Sequence, residues 1–181
     1  MREYLAHPSA QIEDGSKIGK GTKIWNNTQV RKGAIIGERC NIGKDCYIDT
    51  GVIVGSGVKI QNSVSVYCGV EVEDDVFIGP SAVFTNDFYP RAFSTDWKIT
   101  STKIKKGASI GANSTIVCGH VVGEYAMVGA GSVVTNNILP HALVVGNPAR
   151  QIGWVCKCGH KLDYENRCPK CGKIFNELIE K

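Results

Sequence analysis

The sequence predicts an all-β protein built as a parallel β-helix, because two kinds of residue repeat with a period of six. A branched aliphatic side chain returns at every sixth position from Ile12 to Ile78, Phe84 takes the next position, and the phase resumes from Ile104 to Val134. The fourth residue after each aliphatic is usually small or β-branched, as at Thr22. Alternate side chains of a strand point to opposite faces, so both sets can face one interior if three hexads form each triangular coil.

Glycine often follows the repeated aliphatic, as at Gly37 and Gly111, which suits a chain that turns a corner after every short strand. An amphipathic helix would need a period of 3.6, and no window before residue 134 shows one. The first run of the repeat comprises Ile12, Ile18, Ile24, Val30, Ile36, Ile42, Ile48, Val54, Ile60, Val66, Val72, Ile78 and Phe84.

One segment interrupts the repeat. Phe84 and Ile104 are separated by 20 positions where the repeat needs six, and the extra 14 are not a multiple of six. We therefore expect one protruding loop at 85–103, carrying Phe88 and Trp97 among its aromatics. Long loops on rigid scaffolds often carry function, although a tolerated insertion would look the same.

Composition narrows the function classes. The chain has 181 residues, 43% hydrophobic and 21% charged, with a net charge of +4 and no long basic run, so nucleic acid is not an expected partner. We find no signal-peptide pattern at the N-terminus and no apolar run long enough to span a membrane. The expected location is cytoplasmic, where the eight cysteines would be thiols or metal ligands.

Asn86 stands where the loop begins. Its amide could orient a substrate amine or donate to a developing oxyanion, or it could simply cap a turn. Arg91 in the loop could pair with a carboxylate or phosphate, or it could be a solvated surface charge.

The loop contains no histidine. An alcohol acceptor must lose its proton during attack and usually needs a histidine base, whereas a neutral amine is already a nucleophile. The sequence thus favours an amine acceptor. His120 occupies an inward slot where serine or alanine is usual, so it is either packed structurally or a catalytic base.

The tail predicts a small metal-binding unit. Two cysteine pairs, each followed by glycine, form two knuckles. Four thiolates suit a closed, structural Zn²⁺ site, although unmetallated thiols, iron, or substitution of one ligand by His160 stay open. We place a β-helix domain at 1–153, a zinc-ribbon-like tail at 154–181, and a possible short helix at 174–181. The expected ligands are Cys156, Cys158, Cys168 and Cys171.

The hexad pattern resembles the hexapeptide-repeat acyltransferase superfamily, whose members form left-handed β-helices. The runs Gly79-Pro80-Ser81, Pro90-Arg91-Ala92 and Gly146-Asn147-Pro148-Ala149-Arg150 are similar to nucleotide-sugar N-acetyltransferases of bacterial surface-polysaccharide synthesis. The nearest type acetylates the 3-amino group of UDP-2-acetamido-3-amino-2,3-dideoxyglucuronate. The resemblance implies a homotrimer with active sites between subunits, beneath the loop.

This resemblance also implies site residues. Asn86 would lie at the reacting amine. His120, singled out above by its slot in the repeat and not by the resemblance, is the second catalytic candidate. A sugar O-acetyltransferase using His120, or a non-catalytic scaffold, are the alternatives. The nucleotide sugar would be bound around Gln61, Asn62, Tyr67 and Arg91. Acetyl-CoA would be bound around Ala112, Ala130, Gly131 and Arg150, unless Arg150 forms only a structural ion pair.

Overall fold

A computed structural model describes residues 3–176 as a left-handed parallel β-helix followed by a small cysteine-rich tail. The prediction of an all-β fold is confirmed. No helix long and apolar enough to cross a bilayer occurs among the described residues. The helix suggested at 174–181 falls mostly outside them, and Ile174 forms an antiparallel bridge with Arg167.

Twenty-two short strands build three faces of a triangular prism. Face 1 contains β1 Leu5–Ala6, β4 Lys23–Ile24, β7 Asn41–Ile42, β10 Lys59–Ile60, β13 Phe77–Ile78, β16 Ser109–Ile110, β19 Met127–Val128, β21 Ala142–Val145 and β22 Arg150–Trp154. Face 2 contains β2 Gln11–Ile12, β5 Gln29–Val30, β8 Tyr47–Ile48, β11 Ser65–Val66, β14 Val83–Phe84, β17 Thr115–Ile116 and β20 Val133–Val134. Face 3 contains β3 Lys17–Ile18, β6 Ile35–Ile36, β9 Ile53–Val54, β12 Val70–Val72, β15 Thr102–Ile104 and β18 Val121–Val122.

The strand register sets the length of a coil. Lys23 pairs with Asn41 in a parallel ladder, so one coil takes 18 residues. Across the loop Phe77 pairs with Ser109, which leaves 14 extra residues, as the sequence predicts. The loop occupies 85–101, and β15 begins at Thr102, two residues earlier than predicted, because buried Thr102 pairs with Val70.

The interior is filled by the two repeating sets. The aliphatics from Ile24 to Val134 are almost fully buried, and so are the small residues four positions later. Thr28 belongs to this second set, and Thr22 is its equivalent four positions after Ile18; each hydroxyl donates to a carbonyl of the next coil, Thr22 at 2.8 Å and Thr28 at 2.6 Å. These two hydroxyls are thus paired, which makes them compatible with an apolar core.

We call the corner between faces 1 and 2 the first vertex, that between faces 2 and 3 the second, and that between faces 3 and 1 the third. Coils approach closely at the glycine corners. A Cβ added to Gly37 at the third vertex would lie 2.6 Å from Gly55 C and from Ser56 N. Both atoms are backbone, so relief would require the coils to separate.

Gly37→Ala should therefore destabilise the protein by about 3 kcal/mol. Gly51→Ala is the matched control, since Gly51 has open space around a Cβ and only its positive φ of 70° is unfavourable to alanine. Urea unfolding of both variants tests this. Equal losses in the two variants would contradict the steric explanation.

The end of the prism changes direction. β22 runs antiparallel to β21, with Ala142 paired to Trp154, and a bulge lies between Leu143 and Val144. Trp154 packs against both the prism core and a second small core made by the tail. The tail is therefore in direct contact with the last coil.

Candidate acetyl-transfer site and metal centre

Asn86 lies at the neck of the loop and its side chain is held in one orientation. Its Nδ2 donates to the Cys68 carbonyl, one coil below, at 3.2 Å. Its own carbonyl accepts from Thr100 N at 2.9 Å, which closes the neck. Only the NH₂ group of an amide can donate, so the Cys68 carbonyl fixes which end of the half-buried amide is Oδ1. Within residues 3–176, Oδ1 accepts no hydrogen bond.

Two cysteines flank Asn86 in the same vertical column of the second vertex. Cys68 lies one coil below and is half-buried, and Cys118 lies one coil above and is fully buried. The Cys118 N–H donates to Thr85 Oγ1 at 2.9 Å. Sequence reasoning gave these cysteines no role, although their spacing from Asn86 follows from the coil length and the 14-residue insertion.

Glycines let the returning arm of the loop lie against the prism. A Cβ on Gly69 would meet Ile99 Cγ2, and one on Gly119 would lie 3.2 Å from Thr100 Cγ2. The neck is thus packed between two glycine turns, which restricts the motion of Asn86.

His120 and Tyr67 lie at the same vertex as Asn86. His120 is one coil above, half-buried in the predicted slot over Thr102, and its ring forms no hydrogen bond within the described part of the chain. The Thr102 hydroxyl is buried and also unpaired there. Tyr67 is 38% exposed one coil below, with its ring 6.1 Å from that of Tyr47. The second vertex therefore gathers three of the predicted site residues.

Arg91 extends from the loop into solvent. Its Nη1 donates only to the neighbouring Pro90 carbonyl, at 2.7 Å, so its charge has no acidic partner among residues 3–176. Phe88 and Tyr89 form an edge-to-face pair with ring centroids 5.1 Å apart, and Phe93 is 84% exposed. The loop carries two acidic and two basic side chains, so it has no net charge, and its exposed aromatic rings suit it to packing against another surface.

Five further predicted residues lie at the first vertex: Gln61, Asn62, Ala112, Ala130 and Gly131. Gln61 and Asn62 follow β10, and Asn62 Oδ1 accepts from Lys44 N at 3.1 Å. Ala112 lies two coils above Asn62, and the Ala112 carbonyl accepts from Gly131 N at 2.8 Å, one coil higher again. A whole side of the prism, up to about 20 Å of extended chain, separates this vertex from Tyr67. One chain does not bring the two groups together.

Three of the residues predicted to bind acetyl-CoA are exposed on the surface of the prism. Ala130 and Gly131 are exposed, and a Cβ on Gly131 would touch nothing. Arg150 on β22 is exposed and donates only to the Ala149 carbonyl at 3.0 Å, with no ion pair among the described residues. The ion pair considered for Arg150 in the sequence is therefore absent from this part of the chain.

The four tail cysteines converge on one point. Their Sγ atoms all lie within 4.8 Å of one another. Cys156 and Cys171 are 3.6 Å apart, and Cys158 and Cys168 are 3.4 Å apart. A tetrahedral Zn²⁺ with bonds of about 2.3 Å needs sulfurs about 3.8 Å apart, so this donor set fits the ion. His160 Nδ1 is 3.7 Å from Cys158 Sγ, at the edge of the cluster.

Two backbone turns, each closed by a glycine N–H, hold these thiols. Gly159 N donates to the Cys156 carbonyl at 2.8 Å, and Gly172 N donates to the Cys168 carbonyl at 2.9 Å. Backbone hydrogen bonds, from Cys171 first, lower the pKa of Cys168 to about 6, whereas burial raises the pKa of Cys156 to about 12. A bound cation would favour the thiolate form of both.

The comparisons with known proteins agree with this fold. Residues 15–50 match the family model for bacterial transferase hexapeptide (six repeats). Residues 33–68 and 102–136 match the model for the hexapeptide repeat of succinyl-transferase. The hexapeptide repeat of these transferases is therefore recognised over residues 15–68 and 102–136.

Among relatives of this hexapeptide-repeat chain, dTDP-3-amino-3,6-dideoxy-alpha-D-galactopyranose 3-N-acetyltransferase from Aneurinibacillus thermoaerophilus is 48% identical over 76 residues. The match covers 41% of this chain and 40% of the relative, so less than half of either protein is compared.

Two solved structures share the fold. GDP-perosamine N-acetyltransferase from Caulobacter crescentus, in complex with CoA and GDP-perosamine, has a TM-score of 0.55 at 18% identity, covering 83% of this chain and 58% of that one. A maltose O-acetyltransferase from Clostridium difficile has a TM-score of 0.58 at 23% identity, covering 65% and 67%. At these identities both likenesses concern the fold.

Proposed function

We propose that this protein is an acetyl-CoA-dependent N-acetyltransferase that acts on the amine of a nucleotide-linked amino sugar. The relative from Aneurinibacillus thermoaerophilus bears the name of a 3-N-acetyltransferase for such a sugar. A 3-amino sugar linked to UDP is the acceptor that the resemblance in the sequence favours. The enzyme would act in the synthesis of a surface polysaccharide such as lipopolysaccharide.

One observation carries the proposal: the free Oδ1 of Asn86. The Cys68 carbonyl takes one of the two Nδ2 hydrogens and fixes the orientation of the amide, so that Oδ1 is an acceptor left free by the described residues. This free Oδ1 suits an N–H of the acceptor amine, whereas an oxyanion could be reached only by the second Nδ2 hydrogen. Of the two roles open in the sequence, orientation of the acceptor amine is therefore the one that we propose.

The protein would promote the reaction mainly by positioning the acceptor amine against the thioester of acetyl-CoA. The neutral amine nitrogen attacks the thioester carbonyl carbon, a C–N bond forms, and the C–S bond of the tetrahedral intermediate then breaks. The ammonium proton leaves to the departing CoA thiolate, so atoms and charge balance without a protein base. His120 lies close by and is dispensable in this proposal.

The separation of the predicted residues supports a trimer. Tyr67, Asn86 and Arg91 would face a neighbouring subunit, whose first vertex would supply Gln61, Asn62 and the groove along Ala112, Ala130 and Gly131. Arg150 would pair with a CoA phosphate. We place the enzyme in the cytoplasm, where acetyl-CoA is available.

The tail cysteines would hold one structural Zn²⁺. All four ligands are thiols, no coordination position is left for substrate, and the cluster lies beside the last coil. Zinc would contribute to folding of the tail and takes no part in the transfer.

Thiol release from acetyl-CoA with a UDP-amino sugar tests the proposal. We expect Asn86→Ala to lower kcat by about a hundredfold, because the amine loses its orientation, and His120→Ala to change it little. Loss confined to His120→Ala would favour the O-acetyltransferase alternative, in which His120 is the base. No turnover with any acceptor would favour a scaffold.

A further inference from the structure

Four polar side chains climb the second vertex towards Asn86. We call them the polar ladder: Glu13, Arg31, Tyr47 and Asp49. Glu13 Oε1 lies 2.5 Å from Arg31 Nε, and Arg31 Nη1 donates to the Tyr47 hydroxyl at 3.0 Å. The Tyr47 hydroxyl in turn donates to Asp49 Oδ1 at 3.0 Å. The ladder thus links three successive coils and ends on a carboxylate.

Asp49 connects the polar ladder to the next coil. Its Oδ1 also accepts from Thr50 N at 2.7 Å, and its Oδ2 accepts from Cys68 N at 3.1 Å. Cys68 is the residue whose carbonyl receives Asn86 Nδ2. The backbone of Cys68 is therefore held on both sides, by a carboxylate below and by the amide of Asn86 above.

We propose that Asp49 is a positioning residue for acetyl transfer, which orients the Cys68 backbone and through it the Asn86 side chain. The inference rests on the role proposed for Asn86. A carboxylate that receives three hydrogen bonds is rigid, and its Tyr47 partner is kept protonated because burial, then the bond to Asp49, raise the pKa of Tyr47. Aspartate rather than asparagine is required, since an asparagine has only one oxygen for three donors.

The same kind of backbone cap occurs elsewhere with no link to Asn86. Glu73 Oε2 accepts from Lys106 N at 2.9 Å at the third vertex, and Glu73 Oε1 pairs with Lys105 Nζ at 2.6 Å. A purely structural role for Asp49 would make it equivalent to Glu73. Glu73→Gln is thus the matched control for Asp49→Asn.

The first measurement is amide hydrogen exchange of the full-length protein at Cys68. Asp49→Asn should speed exchange of the Cys68 N–H at least about tenfold, and Glu73→Gln should leave it unchanged. This readout does not depend on activity, so it decides whether Asp49 holds the Cys68 backbone even if no turnover is found. Unchanged exchange in Asp49→Asn would overturn the inference.

The second measurement is a double-mutant cycle on turnover. Asp49→Asn should lower kcat about tenfold with KM for acetyl-CoA unchanged, and should cause no further loss when combined with Asn86→Ala. An additive loss, or a loss equal to that of Glu73→Gln, would overturn the inference. If Asn86→Ala itself had no effect while wild type turned over, the proposed role of Asn86 would fail instead.

Discussion

Asn86→Asp should lower kcat for acetyl transfer by at least about a hundredfold while the protein stays folded. The replacement has the same shape, but a carboxylate cannot donate to the Cys68 carbonyl that lies 3.2 Å from Asn86 Nδ2. Two acceptors would face each other and the side chain would turn away. A carboxylate beside the acceptor amine would also favour its protonated form, which cannot attack.

The pH dependence of the rate separates the two causes, which are the lost hydrogen bond to the Cys68 carbonyl and the protonation of the acceptor amine. If the negative charge matters, the rate of Asn86→Asp should recover partly at higher pH, where the ammonium loses its proton. Asn136→Asp is the control, because Asn136 is exposed in the same column two coils above and donates only to Thr135 Oγ1. Wild-type activity of Asn86→Asp would contradict the role assigned to the amide.

Cys168→Ser should abolish stoichiometric zinc binding and unfold the tail. Among residues 3–176 the tail core contains only Cys156, Leu162, Cys168 and Phe175 with part of Trp154, too little to fold unaided. In zinc-finger peptides the apparent free energy of zinc binding is about 10–16 kcal/mol, and this binding free energy is what folds them. Metal analysis should find about one zinc per wild-type chain and almost none in the variant.

Cys40→Ser provides the matched control. Cys40 is buried in the prism, where its Sγ donates to the Gly55 carbonyl at 3.0 Å, and a hydroxyl can make the same bond, as Thr22 does one coil below. This variant should retain its zinc. Fluorescence of Trp154 should report the difference, since that ring packs on the tail core. Full zinc in Cys168→Ser would contradict the four-thiolate site.

Unfolding of the tail should also disturb the side-chain packing of the last coil of the prism. His141 stacks on Tyr125 at 5.3 Å and contacts Phe175 at 5.0 Å, and its Nδ1 bonds to the Val155 carbonyl at 2.8 Å. Nothing in the sequence predicts this stack, because the last coil is two residues shorter than the repeat: Met127 pairs with Leu143, 16 residues on. The six-residue repeat stops at this last coil, so it cannot predict which side chains contact His141.

The repeat made the prism predictable, since each coil copies the one below. The same rule places Cys68 under Asn86 and Asp49 next to the Cys68 N–H, so the polar ladder was within reach of the sequence once the column was known. The direction in which the Arg91 side chain points could not be predicted, because the loop follows no repeat. The distance between Gln61 and Asn86 also becomes clear only when the three vertices are built.

The most direct test of the central claim compares two acceptors that differ in one group, a UDP-3-amino sugar and its 3-hydroxy counterpart, with acetyl-CoA and wild-type protein. Mass spectrometry and NMR would identify the product. We expect an amide at the 3-position from the amino sugar and negligible acetylation of the hydroxyl. Equal or preferential formation of the ester would contradict an amine-directed site at Asn86 and shift the chemistry to His120.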